Sequence, residues 1–101
     1  MSNFKHMDEF RTQKGNGHPA YLFEAKDENV RTKSITHSAS THGAKNQPLH
    51  SNPNPKDDSK AYFLPGIRTK KESALKKHKK YKDWKLSEQD KKQYIMSNYS
   101  K

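Results

Sequence analysis

A chain of 101 residues, 28% hydrophobic against 32% charged and with a mean hydropathy of -1.43, has room for one domain built on a thin core. It lacks cysteine, which excludes a disulfide framework and a thiolate metal site. No apolar stretch is long enough to span a bilayer or serve as a secretory leader, so a cytoplasmic location is expected. The excess of 21 Lys and Arg over 11 Asp and Glu, a net charge of +10, implies a polyanionic partner, with nucleic acid ahead of a membrane surface.

Residues 1–14 read as an N-terminal arm or short helix, because Phe4, Met7 and Phe10 recur at threes behind Ser2 or Asn3 as cap. Residues 15–101 read as a single domain. Gly15-Asn16-Gly17 ends the first element, and Pro19 starts the next. The aromatic run Ala20-Tyr21-Leu22-Phe23 predicts a buried strand over 20–25. Asp27-Glu28-Asn29 supplies a turn, and the polar alternation of residues 30–37 predicts a returning strand. Residues 38–59 are rich in Ser, Thr, Asn, Gly, Pro and His. They read as one long loop around Asn52-Pro53-Asn54-Pro55, of the kind often retained for function.

Lys60-Ala61-Tyr62-Phe63-Leu64 predicts a third strand over 60–65, ended by Pro65-Gly66. Core candidates are Tyr21, Phe23, Ile35, Tyr62 and Leu64. Thr69 is placed to cap a surface helix from Lys70 towards Lys80, whose apolar contacts are only Ala74 and Leu75. Ser87-Glu88-Gln89-Asp90 is a capping-box variant opening a final helix over 87–96, with Tyr94 and Ile95 turned inward.

The segment from Lys60 to Lys85 concentrates the positive charge. Lys60, Lys70, Lys71, Lys76, Lys77, Lys79 and Lys80 are its candidate phosphate contacts, with Tyr81 and Trp84 interleaved. Aromatic faces stack on unpaired bases at about 1–3 kcal/mol per base. Trp84 is thus a candidate nucleic-acid contact, although a chain with so little to bury favours it as a cover for the core edge.

Six histidines are scattered as His6, His18, His37, His42, His50 and His78. No two share the spacing of ligands on one helix turn, so neither a metal site nor a cofactor is expected. If the first two strands pair as a hairpin, His18 and His37 arrive at the same end, where imidazoles can serve as general acid and base. The competing reading leaves both as surface histidines without a role. A nucleophile elbow and a Walker-type phosphate loop are both absent from the sequence.

The succession Gly15-Asn16-Gly17-His18-Pro19-Ala20-Tyr21-Leu22-Phe23, then Ile35-Thr36-His37-Ser38, then Ala61-Tyr62-Phe63-Leu64-Pro65-Gly66-Ile67-Arg68-Thr69 resembles the MazF/PemK toxins. That family shows a G-x-R-P strand opening, an I-T strand end and a V-I-L-L-x-Q-I-R-T segment leading into helices. Its last helix begins with a Leu-Ser-acid step, similar to Leu86-Ser87-Glu88. The resemblance runs from Gly15 to about Tyr94. It implies a mainly β fold with peripheral helices, a small SH3-like β-barrel. It further implies a homodimer, an acidic antitoxin as partner, RNA as substrate and metal-independent endoribonuclease activity.

Thr36 matches the family's threonine and Arg68 its I-R-T arginine, which is expected to stabilise charge on the phosphate. His18 replaces the family's strand-opening arginine, and Gly66 replaces its glutamine. Two readings are open. Either the chemistry is rewired, with His18 and His37 as acid–base pair and Thr36 and Arg68 as charge stabilisers, or it is lost and a non-catalytic RNA-binding module remains. A third reading is a phage or mobile-element interaction protein whose basic face meets an acidic partner.

Overall fold

The computed structural model describes residues 4–99, and its first three strands form an antiparallel meander: β1 (Lys5–Gln13), β2 (Pro19–Lys26) and β3 (Asn29–Thr36). Two tight turns set this order. Gly17 takes a φ of 72°, which costs a glycine nothing sterically, and its N–H donates to the Gln13 carbonyl at 2.8 Å. Asp27 takes a φ of 56° between the paired residues Lys26 and Asn29, a conformation that short polar side chains tolerate.

Strand β2 is buried on both faces. Alternation sends Tyr21 and Phe23 into a larger cluster with Phe10, Ile35, Phe63 and Ile95. Ala20 and Leu22 enter a smaller one with Val30 and Leu75. The fully buried Glu24 lies on the same strand, and its Oε1 accepts from Arg31 Nη1 at 2.7 Å. Arg31 also donates to the Asn98 carbonyl at 2.8 Å, which ties the C-terminal segment to the sheet.

After β3, a ribbon of β4 (Ser40–Thr41) and β5 (Ala44–Lys45) stands apart from the main sheet. Next come β6 (Gln47–Pro48), β7 (Tyr62–Phe63), β8 (Arg68–Lys71) and β9 (Leu75–Lys76). Strands β7 and β8 share the free edge of β3, the first at Ile35 and Thr36, the second from Asn29 to Thr32. Between them the chain bends at Gly66, whose φ is 87°. Through a 3-10 turn at Glu72–Ala74 it then passes to β9, which pairs with β1. One continuous strap, residues 68–76, is therefore bonded to β3 at its start and to β1 at its end. It closes the meander into a small, mainly antiparallel barrel-like fold, and Leu75 plugs the smaller cluster.

The C-terminal helical segment forms where the sequence predicts it. It begins as α1 (Glu88–Asp90) and continues through a π turn (Lys91–Ile95) and a 3-10 turn (Met96–Asn98). Ser87 Oγ accepts from the Asp90 N–H at 3.1 Å and donates to Asp90 Oδ2 at 2.8 Å. Ile95 is fully buried, with Tyr94 and Tyr99 packed beside it.

Three expectations are corrected. The N-terminal residues form β1 and not a helix or loose arm, and the proposed caps Ser2 and Asn3 lie outside the described residues. On a strand the odd spacing of Met7 and Phe10 serves two clusters, the smaller for Met7 and the larger for Phe10. The helix expected over 70–80 is replaced by the strap and a second 3-10 turn at Lys79–Tyr81. As a helix, that segment would bury only Ala74 and Leu75 while stacking like charges at Lys76, Lys79 and Lys80. Pairing with β3 and β1 satisfies its backbone instead.

The third correction concerns the core on β7. Phe63 is buried there, while Tyr62 and Leu64 are only half-buried. Phe63 pairs with the inward-facing Ile35, and directly opposed residues share a face of the sheet. Among the described residues no helix is long and apolar enough to cross a membrane.

Candidate functional site

The β2–β3 hairpin determines what gathers at its open end. Ala20 pairs with Ser34, and two residues further along the same register bring His18, just before β2, level with Thr36. His18, Thr36, His37 and Ser38 line one side of a cavity of about 520 Å³. Two other segments complete the lining. The 38–59 connection contributes Asn52, Asn54 and Asp57; the Lys79–Tyr81 turn and the stretch just after it contribute Lys80, Tyr81 and Trp84.

The local chemistry of each wall is well defined. Thr36 Oγ1 accepts from the Ser38 N–H at 3.2 Å, so its own hydroxyl proton is available to a ligand. The His18 N–H donates to Asn16 Oδ1 at 2.9 Å, which holds the turn before β2. His37 Nε2 lies 3.3 Å from Asp57 Oδ2. Asp57 is held below the usual carboxylate range by hydrogen bonds from Ser59 and by the His37 contact, and it is ionised at neutral pH.

Asparagine side chains close turns within the loop carrying Asp57. Asn52 Oδ1 accepts from the Asn54 N–H at 3.0 Å, and Asn54 Oδ1 from the Lys56 N–H at 3.0 Å. The carbonyl of the buried Pro53 accepts from the Lys85 N–H at 3.1 Å, which fastens the loop to the segment after Trp84.

Trp84 is part-buried. Its ring meets Tyr81 at 4.7 Å and Phe10 at 5.5 Å between centroids, both edge-on. Tyr81 OH shares a 2.8 Å hydrogen bond with Thr12 Oγ1, and Lys80 Nζ sits 5.1 Å from the Tyr81 ring centroid. Trp84 is therefore both a core residue and part of the cavity wall.

Of the residues singled out by sequence, His18, Thr36, His37, Lys80 and Trp84 come together. Arg68 does not. It is exposed on β8 opposite Thr32, four residues or roughly 13 Å along β3 from Thr36. The other lysines are dispersed because the helix expected to align them does not form. Lys70 Nζ donates to Gln13 Oε1 at 2.6 Å, and Lys71 lies 4.0 Å from Glu28. Lys60 lines a separate hollow beside Pro48 and Tyr62. Lys76, Lys77 and Lys79 are exposed, and Lys77 borders a hollow on the far side of Tyr81 and Trp84.

Sequence reasoning missed Asp57, Asn52 and Asn54 as site residues. The length and composition of the 38–59 connection marked it as functional, but no local pattern paired Asp57 with His37. Among the described residues no group of three or more His, Asp or Glu is placed to hold a metal ion. Compared with protein-family models, curated proteins and solved structures, the chain matches none.

Proposed function

We propose that this chain binds RNA in the His18–His37 cavity and cleaves it there as a metal-independent endoribonuclease. The observation that carries this reading is the convergence of two imidazoles, one from each side of the hairpin, with the Thr36 hydroxyl and Lys80 in one cavity of about 520 Å³. The net charge of +10 suits a phosphate backbone. A toxin role with an acidic antitoxin, as in the resembling family, belongs to the same proposal.

In this reading one imidazole takes the proton of the ribose 2′-hydroxyl, and the 2′-oxygen attacks the adjacent phosphorus. The other imidazolium gives its proton to the departing 5′-oxygen. The products are a 2′,3′-cyclic phosphate and a free 5′-hydroxyl. Lys80 and Thr36 take over the stabilisation of phosphate charge expected of Arg68, since they reach the cavity and it does not.

The test is cleavage of a diverse RNA pool by the purified chain in EDTA. Activity should follow a bell-shaped pH profile, with one limb for each histidine. A substrate with deoxyribose at the scissile position should resist. His18→Ala and His37→Ala should each lower kcat by at least about 100-fold at similar RNA affinity. The displacement of Arg68 favours one second reading, a module that binds RNA without cutting it. Tight binding with no cleavage of any RNA in the pool would decide for that module.

A further inference from the structure

We propose, building on the reading above, that Asp57 is a positioning residue that makes His37 the general base and leaves His18 as the general acid. The two histidines have unequal surroundings. His37 Nε2 lies 3.3 Å from Asp57 Oδ2. The other oxygen of that carboxylate is occupied: Asp57 Oδ1 accepts from the Ser59 N–H at 2.9 Å and from Ser59 Oγ at 2.7 Å. The carboxylate is thus held by its own turn, and the turn is anchored through the Pro53–Lys85 backbone bond. His18 is paired with no carboxylate among the described residues, and Asp57 is the one carboxylate among those lining the cavity.

This asymmetry assigns the roles. With Nε2 turned to a carboxylate, the neutral His37 ring carries its hydrogen there and keeps the Nδ1 lone pair for the substrate. When Nδ1 takes a proton, the imidazolium that forms is stabilised by Asp57. The same contact would make His37 a poorer acid, because the proton would have to leave an ion pair. The other charged group facing the site is Lys80, which opposes a new positive charge and so makes the Asp57 contact more consequential.

In the balanced step the 2′-hydroxyl proton passes to His37 Nδ1 as the bond from O2′ to phosphorus forms. The bond from phosphorus to O5′ breaks, and O5′ takes the proton of His18. The protein ends with His37 protonated and His18 neutral.

Both partners are solvent-accessible, at 61% and 34% of the side chain, so the pair adds little to stability. The amide oxygen of Asp57→Asn can still accept the Ser59 bonds, so the variant should fold; it removes the charge and turns an amide NH2 donor, in place of an acceptor, towards His37 Nε2.

The decisive substrate replaces the bridging 5′-oxygen with sulfur, a leaving group that departs without a proton. His18→Ala should cleave it within a few fold of the wild-type rate, while His37→Ala stays slow. Asp57→Asn should be slow on both substrates by roughly tenfold or more, part of the 100- to 10,000-fold that a positioned base supplies.

Rescue of His37→Ala in place of His18→Ala would reverse the assignment, and wild-type rates for Asp57→Asn on both substrates would reduce Asp57 to a structural residue. A wild-type chain that cleaves neither substrate defeats the endoribonuclease reading itself. Side-chain 15N spectra test the positioning without catalysis. The neutral His37 ring should be the Nε2–H tautomer in the wild type and should shift towards the Nδ1–H tautomer in Asp57→Asn, and an identical tautomer in both overturns the proposal.

Discussion

Lys33 lies on β3, 3% exposed, with its Nζ donating to the Gly66 carbonyl at 3.2 Å and lying 5.5 Å from the centre of the Phe63 ring. Burial holds its pKa below the usual 10.5. Between that lowered value and 10.5 the unfolded chain binds more protons than the folded one, so this residue makes stability rise with pH through that window. Below the window the buried charge is a net cost. Lys33→Met should therefore raise the denaturation midpoint at neutral pH, with the gain shrinking as pH approaches 10.5. A gain independent of pH would show that the charge is not what costs. The lysine was legible in the sequence only as one position of an alternating polar strand; its burial comes from the bend at Gly66, which folds the chain over it.

At the level of elements, the C-terminal helix braces the loop that carries Asp57. Asp90 is fully buried, and its Oδ1 accepts from the His50 N–H at 2.8 Å while its Oδ2 accepts from Ser87 Oγ. Tyr94 OH donates to the Pro48 carbonyl at 2.7 Å. One carboxylate thus joins the helix cap to the start of the loop. Asp90→Ala removes the acceptor of the His50 N–H, in a part-buried hydrogen bond, and half of the Ser87 cap. Denaturant titration should show a loss of about 2 kcal/mol. Amide exchange should quicken over residues 50–59, and unchanged exchange there would separate the helix from the site. The capping residues were readable in advance because Ser87 and Asp90 act within one turn. Their contact with His50 was not, since it spans the fold.

For the whole molecule, the question is where the positive charge meets a polyanion. Lys70 and Lys71 of the strap have partners in the protein itself, whereas Lys80 lines the cavity, Lys77 borders the hollow on the far side of Tyr81 and Trp84, and Lys79 is exposed between them in the chain. RNA affinity should fall steeply with salt, and removing one lysine–phosphate pairing should flatten the logarithmic slope by about 0.7 for a single strand. Replacing Lys77, Lys79 and Lys80 with Gln should lower the slope by about 2 in total. Replacing Lys70 and Lys71 should leave it nearly unchanged. Equal effects from both sets would mean that RNA is held by the overall field and not at the cavity.

The sequence by itself determined whatever rests on neighbouring residues. The Gly17 and Asp27 turns, the apolar run of β2 and the Ser87 cap are local chemistry, and together they place His18 and His37 at one end of a hairpin. Register, closure and the electrostatic partner of His37 were decided only by tertiary structure. The run from Ala61 to Leu64 is apolar throughout, so nothing in it selects Phe63 as the inward residue until Ile35 lies opposite. Residues 70–80 hold too few apolar groups to state a period, and the open edges of β3 and β1 draw them into a strap, leaving Arg68 far from the cavity. Asp57 meets His37 because a loop anchored at Lys85 and at Asp90 folds back across the end of β3, and contacts of that kind leave no trace in local spacing.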